Sequence, residues 1–529
     1  MKARRGLACA ALLSGLAGYP PRRPSASFWR PEDRVVISDF SWIEAVAASP
    51  FYVFAATAHG LTIYDRRSHR WQLPVTAVDG YPSARIRVAL ADAVDNGVWL
   101  GTDLGWARYD PDLHQWESGT VPGGVSSLML DAGDQASGVF VETGFSGWQF
   151  LPRGGAIPEP GRPLPPVGRR IQALDPRAAI ALAPTAQSMR ALMLTDQRLR
   201  SYQFTSAARS LDQPEVYFGT NGMGVLEVDP NTGQYQRLTT GILTASAGAV
   251  ALGPDGVWVA ANSRAGDRRG IAWVSRDLGE MTGEEDATGR ISGVLVTRKL
   301  LASGRNLYLA TDRGLFVVDN GSYQSRLLDA GSGLPADQVL ALAPAPDGVW
   351  AGTARGLAVV SAGGKAQPFP TLPQAITALA VLRDTLWVGS AVGMGVLAPG
   401  SDQAVVTREL DQAPSLKTTI LALTRTADTL VLATANELAW RDPAGAWHVS
   451  RGRGDLGTVT SLAGDSGGVW IGGTTGLAFW NLGSGAVKAL HVPDDIPAAV
   501  RDVAVQGEYL WVATDSGLVR LSRDAARNR

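Results

Sequence analysis

The side chains best suited to chemistry in this chain are five histidines, His59, His69, His114, His448 and His491, together with a recurring set of aspartates. A hydrolytic metal centre needs ligands at fixed spacing, as in H-E-x-x-H or H-x-x-E-H. The histidines show neither spacing, so no metal site is expected from them. No G-x-S-x-G nucleophile elbow, P-loop or dinucleotide fingerprint is present, so no catalytic residues and no cofactor are expected either. The glycine-rich phrase GTNGMG (Gly219 to Gly224) has the composition of a phosphate loop, but the same slot recurs down the chain as a hairpin. Asp65, Asp110, Asp229 and Asp319 recur in one phase, just after a strand, where a carboxylate ends the strand and caps the turn. What remains is cationic. Arg169 and Arg170 lie in a Pro-rich stretch, and Arg264, Arg268 and Arg269 in the loop NSRAGDRRG (Asn262 to Gly270). Loops that break a repetitive design are where such proteins make contacts, so these five arginines are the candidate partner-binding residues, suited to an acidic protein face or a glycan.

The whole chain sets limits on the partner. Among 529 residues there are 61 Gly, 31 Pro and 16 Trp with only 18% charged, the composition of a turn-rich and strand-rich protein. The 48 basic and 49 acidic residues leave a formal charge of -1, so no global field draws nucleic acid or an anionic membrane. Cys9 is the only cysteine, which excludes an internal disulfide. Residues 1–26 read as an export signal: Lys2, Arg4 and Arg5 precede a short apolar core, Gly6 to Gly18. A periplasmic or extracellular location is expected. Leu16-Ala17-Gly18 is like a lipoprotein processing signal, but Tyr19 stands where a cysteine is needed, so lipid anchoring is not expected. No later run reaches the roughly 18 apolar residues of a membrane helix.

One hairpin phrase recurs along nearly the entire chain. Clear copies are GVWLGTDLGWARYD (Gly97 to Asp110), VYFGTNGMGVLEVD (Val216 to Asp229), LYLATDRGLFVVD (Leu307 to Asp319), VWAGTARGLAVV (Val349 to Val360), LWVGSAVGMGVL (Leu386 to Leu397), VWIGGTTGLAFW (Val469 to Trp480) and LWVATDSGLVRL (Leu510 to Leu521). Weaker copies start near Val53, Val139, Val257 and Leu430. Most intervals fall at about 40 to 45 residues, the period of a propeller blade. Each unit adds an alternating apolar strand before the hairpin and a polar strand after it. Period-two alternation sends the aromatic of the phrase toward a neighbouring blade, and the small residue two positions on leaves room where blades converge. One blade cannot bury both its faces, so the units must close into rings.

The pattern W-[VIL]-G-T-x-x-G-L resembles the two-component regulator propeller repeat, a family found in the periplasmic sensory regions of many bacterial sensor kinases. The resemblance covers most of residues 40 to 525 and implies an all-β fold. Streptogramin lyases carry a similar blade phrase, and that likeness would imply a metal and a catalytic histidine, neither of which can be assigned to residues here.

The expected fold is therefore tandem β-propellers of four-stranded blades, about 11–12 in all, divided into two rings because single rings typically hold four to eight blades. The charged stretch GEEDATGR (Gly283 to Arg290) is the candidate boundary. It places a first propeller over 27–290, with an irregular insertion at 152–200, and a second of about six blades over 291–529. Asp175-Pro176 ahead of RAAIALA predicts a short helix in the insertion, whereas LMLTDQRLRSY (Leu192 to Tyr202) leaves a degenerate blade as the alternative. The last copy lacks its outer strand. Either RVVISDF (Arg34 to Phe40) or a segment near the boundary must complete it. The function expected is non-enzymatic binding or scaffolding in the bacterial envelope, with a protein or glycan partner. The alternatives are a sensory ligand-binding module of a two-component-type system and, third, a propeller lyase or hydrolase.

Overall fold

The protein is described by a computed structural model covering residues 29–92, 94–131, 138–161, 170–182, 192–209, 212–264, 268–285, 288, 293–369, 374–398, 405–406, 409–450 and 455–529. The export signal expected over residues 1–26 lies outside the described residues. Strand is the dominant regular structure among the described residues, and the strands form eleven antiparallel sheets, as the repeat count requires. In chain order the sheets occupy 43–71, 86–120, 125–172, 193–238, 247–284, 297–328, 339–369, 376–406, 420–450, 459–491 and 500–522.

The repeated phrase explains each blade's build. Thr57, Thr102, Thr311, Thr353 and Thr514 each donate Oγ1–H to the carbonyl of the glycine three residues on, at 2.7–3.1 Å, which ties the hairpin between second and third strands. Glycine is required there: Gly105 has φ 155°, and a Cβ on it would stand 2.0 Å from the Gly119 carbonyl oxygen. The earlier small residue serves packing between blades. A Cβ on Gly389 would meet Ile420 Cγ2 at 2.8 Å, and one on Gly472 would meet Val500 Cγ1 at 2.6 Å. In both pairs the partner is the β-branched residue that opens the next sheet. Gly389→Val is therefore expected to destabilise the protein by about 1–3 kcal/mol through overpacking, read as a lowered thermal midpoint with unchanged far-ultraviolet circular dichroism.

The sheets divide into groups of four and seven. Sheets one to three pack in succession, sheet four packs against sheet one, and an isolated bridge from Leu174, two residues past sheet three's extra strand, to Ala207 links sheet three to sheet four. Arg66, its side chain 4% exposed, helps hold this closure, donating to Ser49 O at 2.6 Å on sheet one's side and pairing with Asp212 at 3.5 Å on sheet four's. Sheets five to eleven pack in an unbroken circuit, sheet eleven against sheet five. The N-terminal strand β1 (Arg34–Ile37) supplies the missing edge of sheet eleven, pairing antiparallel with Gly517–Ser522 from Arg34↔Leu521 to Ile37↔Leu518. Of the two closing segments open in the sequence, this is the first.

Gly283–Arg290 therefore does not separate the rings. Sheet five, on its N-terminal side, shares one apolar cluster with sheet eleven: Val250, Val257, Val259 and Ala272 with Trp511, Ala513, Leu518 and Ile37. The larger ring thus holds seven sheets where about six were expected, and the smaller holds four. The physical reason is that blades are alike in sequence, and ring membership depends on which inner edges meet. Residues 286, 287, 289 and 290 of that stretch lie outside the described residues. The true crossings are two short links running side by side. Residues 38–42 lead from β1 into the smaller ring, and residues 239–246 lead back. They are joined by the bridge Asp39↔Gly241 and by Ile242 N–H donating to Ser38 O at 3.0 Å. In chain terms, the smaller ring is inserted between the closing strand and the first full blade of the larger ring.

Among the described residues, the irregular stretch 152–200 does not make a separate blade. It adds one strand to each edge of sheet three, at Glu159–Pro160 and Arg170–Gln172, and a strand at Met193–Thr195 to sheet four. Between them is the expected helix α1 (Pro176–Leu182), where Asp175 Oδ1 accepts from Arg177 N at 2.7 Å.

Candidate ligand-binding channel

Every inner strand of the eleven sheets carries one β-bulge near its start, as between Ile376 and Ala378 or Val500 and Asp502. A bulge leaves one residue out of the ladder and re-aims its side chain. Around the seven-sheet ring the bulged residues are Gly248, Arg298, Leu340, Thr377, Leu421, Thr460 and Arg501, and all seven line one cavity of about 1160 Å³. Two of them also stitch the ring. Thr377 Oγ1 donates to Ile420 O at 2.5 Å and Thr460 Oγ1 to Val500 O at 2.9 Å, each reaching the next sheet.

The wall has two halves. Sheets seven to ten contribute the triplets Leu340-Ala341-Leu342, Thr377-Ala378-Leu379, Leu421-Ala422-Leu423 and Thr460-Ser461-Leu462. Sheets eleven and six contribute Arg501-Asp502 and Arg298-Lys299, while sheet five between them contributes Gly248. Lys299 Nζ reaches past sheet five to Asp502 Oδ1 at 2.6 Å. Asp502 is 1% exposed and also accepts from Val250 N at 3.2 Å. Its charge is thus held by an ion pair and by backbone donors, as a buried carboxylate requires.

The cavity opens where the rings meet, and its mouth includes Asp39, Ser41, Trp42, His59, Arg200, Tyr202 and Asn221 from the links and the smaller ring. Most of the mouth's cations are matched. Arg268 pairs with Asp39 at 2.8 Å and donates to Ser41 Oγ at 2.9 Å. Arg501 forms a two-pronged pair with Asp515 at 2.7 and 2.5 Å. Arg200 grips Glu285 at 2.7 and 3.0 Å, joining sheet four to sheet five, and also holds Asp196. Burial raises the Asp196 carboxyl, but hydrogen bonds from Arg200 and Tyr202 outweigh it and draw the group down to about 2. Arg298 differs. It is exposed, and among the described residues it has no ion-pair partner.

Of the candidate arginines, Arg264 and Arg268 line this mouth, and Arg269 lies beside them with its Nε buried. Arg170 sits in the strand paired with sheet three, opposite Asp131, and its side chain, like all of Arg169, lies outside the described residues. The structure therefore brings part of one predicted cluster to the mouth and places the backbone of Arg170 in sheet three. Arg298, Lys299, Arg501 and Asp502 were missed. Their signal was present in the aligned inner strands, where TRKLL and VRDVAV carry charge at slots that read Thr or Leu, then Ala or Ser, in sheets seven to ten.

Several of the remaining chemical candidates have local partners. Tyr64 and Tyr109 hydroxyls lie 3.2 and 3.1 Å from His69 Nδ1 and His114 Nδ1, and His448 stacks on Trp440 at 4.7 Å. Asp65 Oδ1 accepts from Arg67 N at 2.8 Å, and Asp319 Oδ1 from Ser322 N at 2.8 Å, each holding its turn. Thr220 Oγ1 donates to Gly224 O at 2.8 Å, so GTNGMG is a hairpin of the repeat, one residue longer than the T-x-x-G form. Among the described residues no group of three His, Cys, Asp or Glu side chains is placed to hold a metal ion.

No family model and no curated protein matches the chain. Solved structures do resemble it. One is the extracellular domain of the hybrid two-component system BT3049 from B. thetaiotaomicron, at 15% identity and TM-score 0.44, covering 90% of this chain and 61% of that domain. The chain thus spans about three fifths of that domain's length. Another is the extracellular domain of the one-component system BT4673 from the same organism, at 13% identity and TM-score 0.39, covering 91% and 70% of the two chains. A third is virginiamycin B lyase from Staphylococcus aureus, at 12% identity and TM-score 0.43, covering 52% of this chain and 94% of the enzyme. No helix among the described residues is long and apolar enough to cross a membrane.

Proposed function

We propose that the chain is a binding module of the bacterial envelope, and that its contact site is the mouth of the seven-sheet channel, taking an acidic partner such as an anionic glycan or the acidic face of a protein. The observation that carries this reading is Arg298, an exposed guanidinium with no ion-pair partner among the described residues, in an opening whose other charges are largely matched. An unmatched cation at the rim of a cavity of about 1160 Å³ supports binding of an anion, because the partner's charge supplies what the protein leaves open. The envelope assignment rests on the N-terminal sequence.

The test is retention of the full chain on immobilised polygalacturonate against neutral dextran. Retention on the acidic polymer is expected to fall steeply as sodium chloride rises past about 0.15 M, where the Debye length is about 8 Å. In Arg298→Glu the affinity is expected to drop at least about tenfold, equivalent to 1.4 kcal/mol. Equal retention on both polymers, or binding indifferent to the substitution, would exclude the mouth as the contact site.

A further inference from the structure

The channel beneath the mouth is not uniform, and its asymmetry specifies a ligand. Around the ring, sheets seven to ten present leucine at the last position of each lining triplet, whereas sheets eleven, five and six place charge or glycine beside the axis. Leu342, Leu379, Leu423 and Leu462 are 6–9% exposed, while leucines packed between blades, such as Leu309 and Leu432, are 0% exposed. The first group keeps apolar surface open to the cavity. Two bulged residues on the same arc, Leu340 and Leu421, are only half-buried there. Apolar surface on one side of a cavity favours hydrocarbon over water, and a guanidinium on the other favours an anion.

We infer that the channel binds a single-chain amphipathic anion, with its acid group at Arg298 and its hydrocarbon laid over the leucine arc. The occupant follows from complementarity. A wholly polar glycan would leave four consecutive blades of leucine unmatched, and a neutral hydrocarbon would leave Arg298 unmatched. Gly248 contributes by absence. With no side chain in the bulge of sheet five, the ionic side remains open above the Lys299–Asp502 pair, which neutralises the deeper charge and leaves Arg298 as the attracting group. This inference rests on the mouth as a binding site and adds the chemistry of the channel below it.

Titration calorimetry of the full chain with octanoate, decanoate and dodecanoate, each kept below its micellar concentration, provides the test. Binding is expected to tighten by up to about fourfold per methylene as the chain lengthens. Arg298→Glu and, separately, Leu421→Asp are each expected to weaken dodecanoate at least about tenfold, with the thermal midpoint of each variant recorded to show that it is folded. Leu421 sits in a bulge slot lining the cavity and also packs against the cluster between sheets nine and ten, so the recorded midpoint separates loss of the arc from loss of packing. Dodecyltrimethylammonium is expected not to compete. Affinity independent of chain length, equal binding of the cationic amphiphile, or no loss in a folded Leu421→Asp would overturn the inference. So would association with phosphatidylglycerol vesicles in the absence of any binding of free dodecanoate, because a membrane surface would then be the source of the acyl anion. If polygalacturonate binding depends on Arg298 but dodecanoate does not bind, the channel inference fails and the mouth reading stands; dodecanoate binding without polymer binding keeps the channel inference and removes the polymeric partner from the mouth.

Discussion

Ile37→Asp is expected to open the seven-sheet ring at its seam and cost at least about 3–5 kcal/mol of stability, the sum of a lost core side chain and a carboxylate placed in an apolar cluster. Ile37 is 0% exposed, pairs with Leu518 and packs in the cluster that joins sheets eleven and five. The strand it belongs to is four residues long, so there is little else on that edge to hold it. Fit at the seam is tight as well, since a Cβ on Gly517, at φ 136°, would stand 2.4 Å from the Ile37 carbonyl oxygen. Trp511, 0% exposed in the same cluster, makes the opening visible. Its fluorescence should shift to the red with a lowered urea midpoint. An unchanged midpoint would mean that β1 is not what closes the ring.

The second large effect is expected at Arg34, whose guanidinium is buried between the rings. Its side chain is 1% exposed; Nη1 donates to Asp494 O at 2.8 Å in the larger ring, and Nη2 to Val78 O at 2.8 Å in the smaller. Burial lowers the Arg34 pKa from its ordinary value, while Asp79 and Asp495 oppose that shift. Arg34→Met leaves the carbonyls of Val78, Asp494 and Asp495 short of a donor and Asp79 short of its cation, and should cost about 3–5 kcal/mol at neutral pH. The deficit depends on pH with a definite sign. Burial already raises the Asp79 carboxyl above its ordinary range, with hydrogen bonds from Thr76 and the charge of Arg34 pulling the other way. Without Arg34 it rises further, so the folded variant prefers the protonated acid. Stability of the variant is then greatest below the unfolded carboxyl's range and falls as pH rises through the folded value. Urea midpoints at pH 4 and pH 7 should therefore differ more in the variant than in the parent, and limited proteolysis should reach the links at 38–42 and 239–246 first. A deficit independent of pH would remove Asp79 from this account.

Much of the design was legible before any coordinates. The repeated T-x-x-G hairpin, the small residue two positions after the aromatic, and the Asp-Pro start of α1 act over a few residues. Each is fixed by local sterics and hydrogen bonding, so eleven sheets and the short helix could be read directly. The cationic loop at Arg264, Arg268 and Arg269 was also visible because it interrupts the repeat.

The division into four and seven sheets was not visible, nor was the channel. Neighbouring blades present nearly the same apolar faces, so local sequence specifies that an inner edge needs a partner without specifying which one. That choice is made across hundreds of residues, by β1 entering sheet eleven and by the paired links that carry the chain out to the smaller ring and back. The same holds for the site. Arg298 and Arg501 read singly as surface charges on strands, and Lys299 and Asp502 as unrelated residues 203 positions apart. Ring closure alone turns their bulges toward one axis, because a propeller's interior is assembled from the edges of sheets that meet only when the circle is complete.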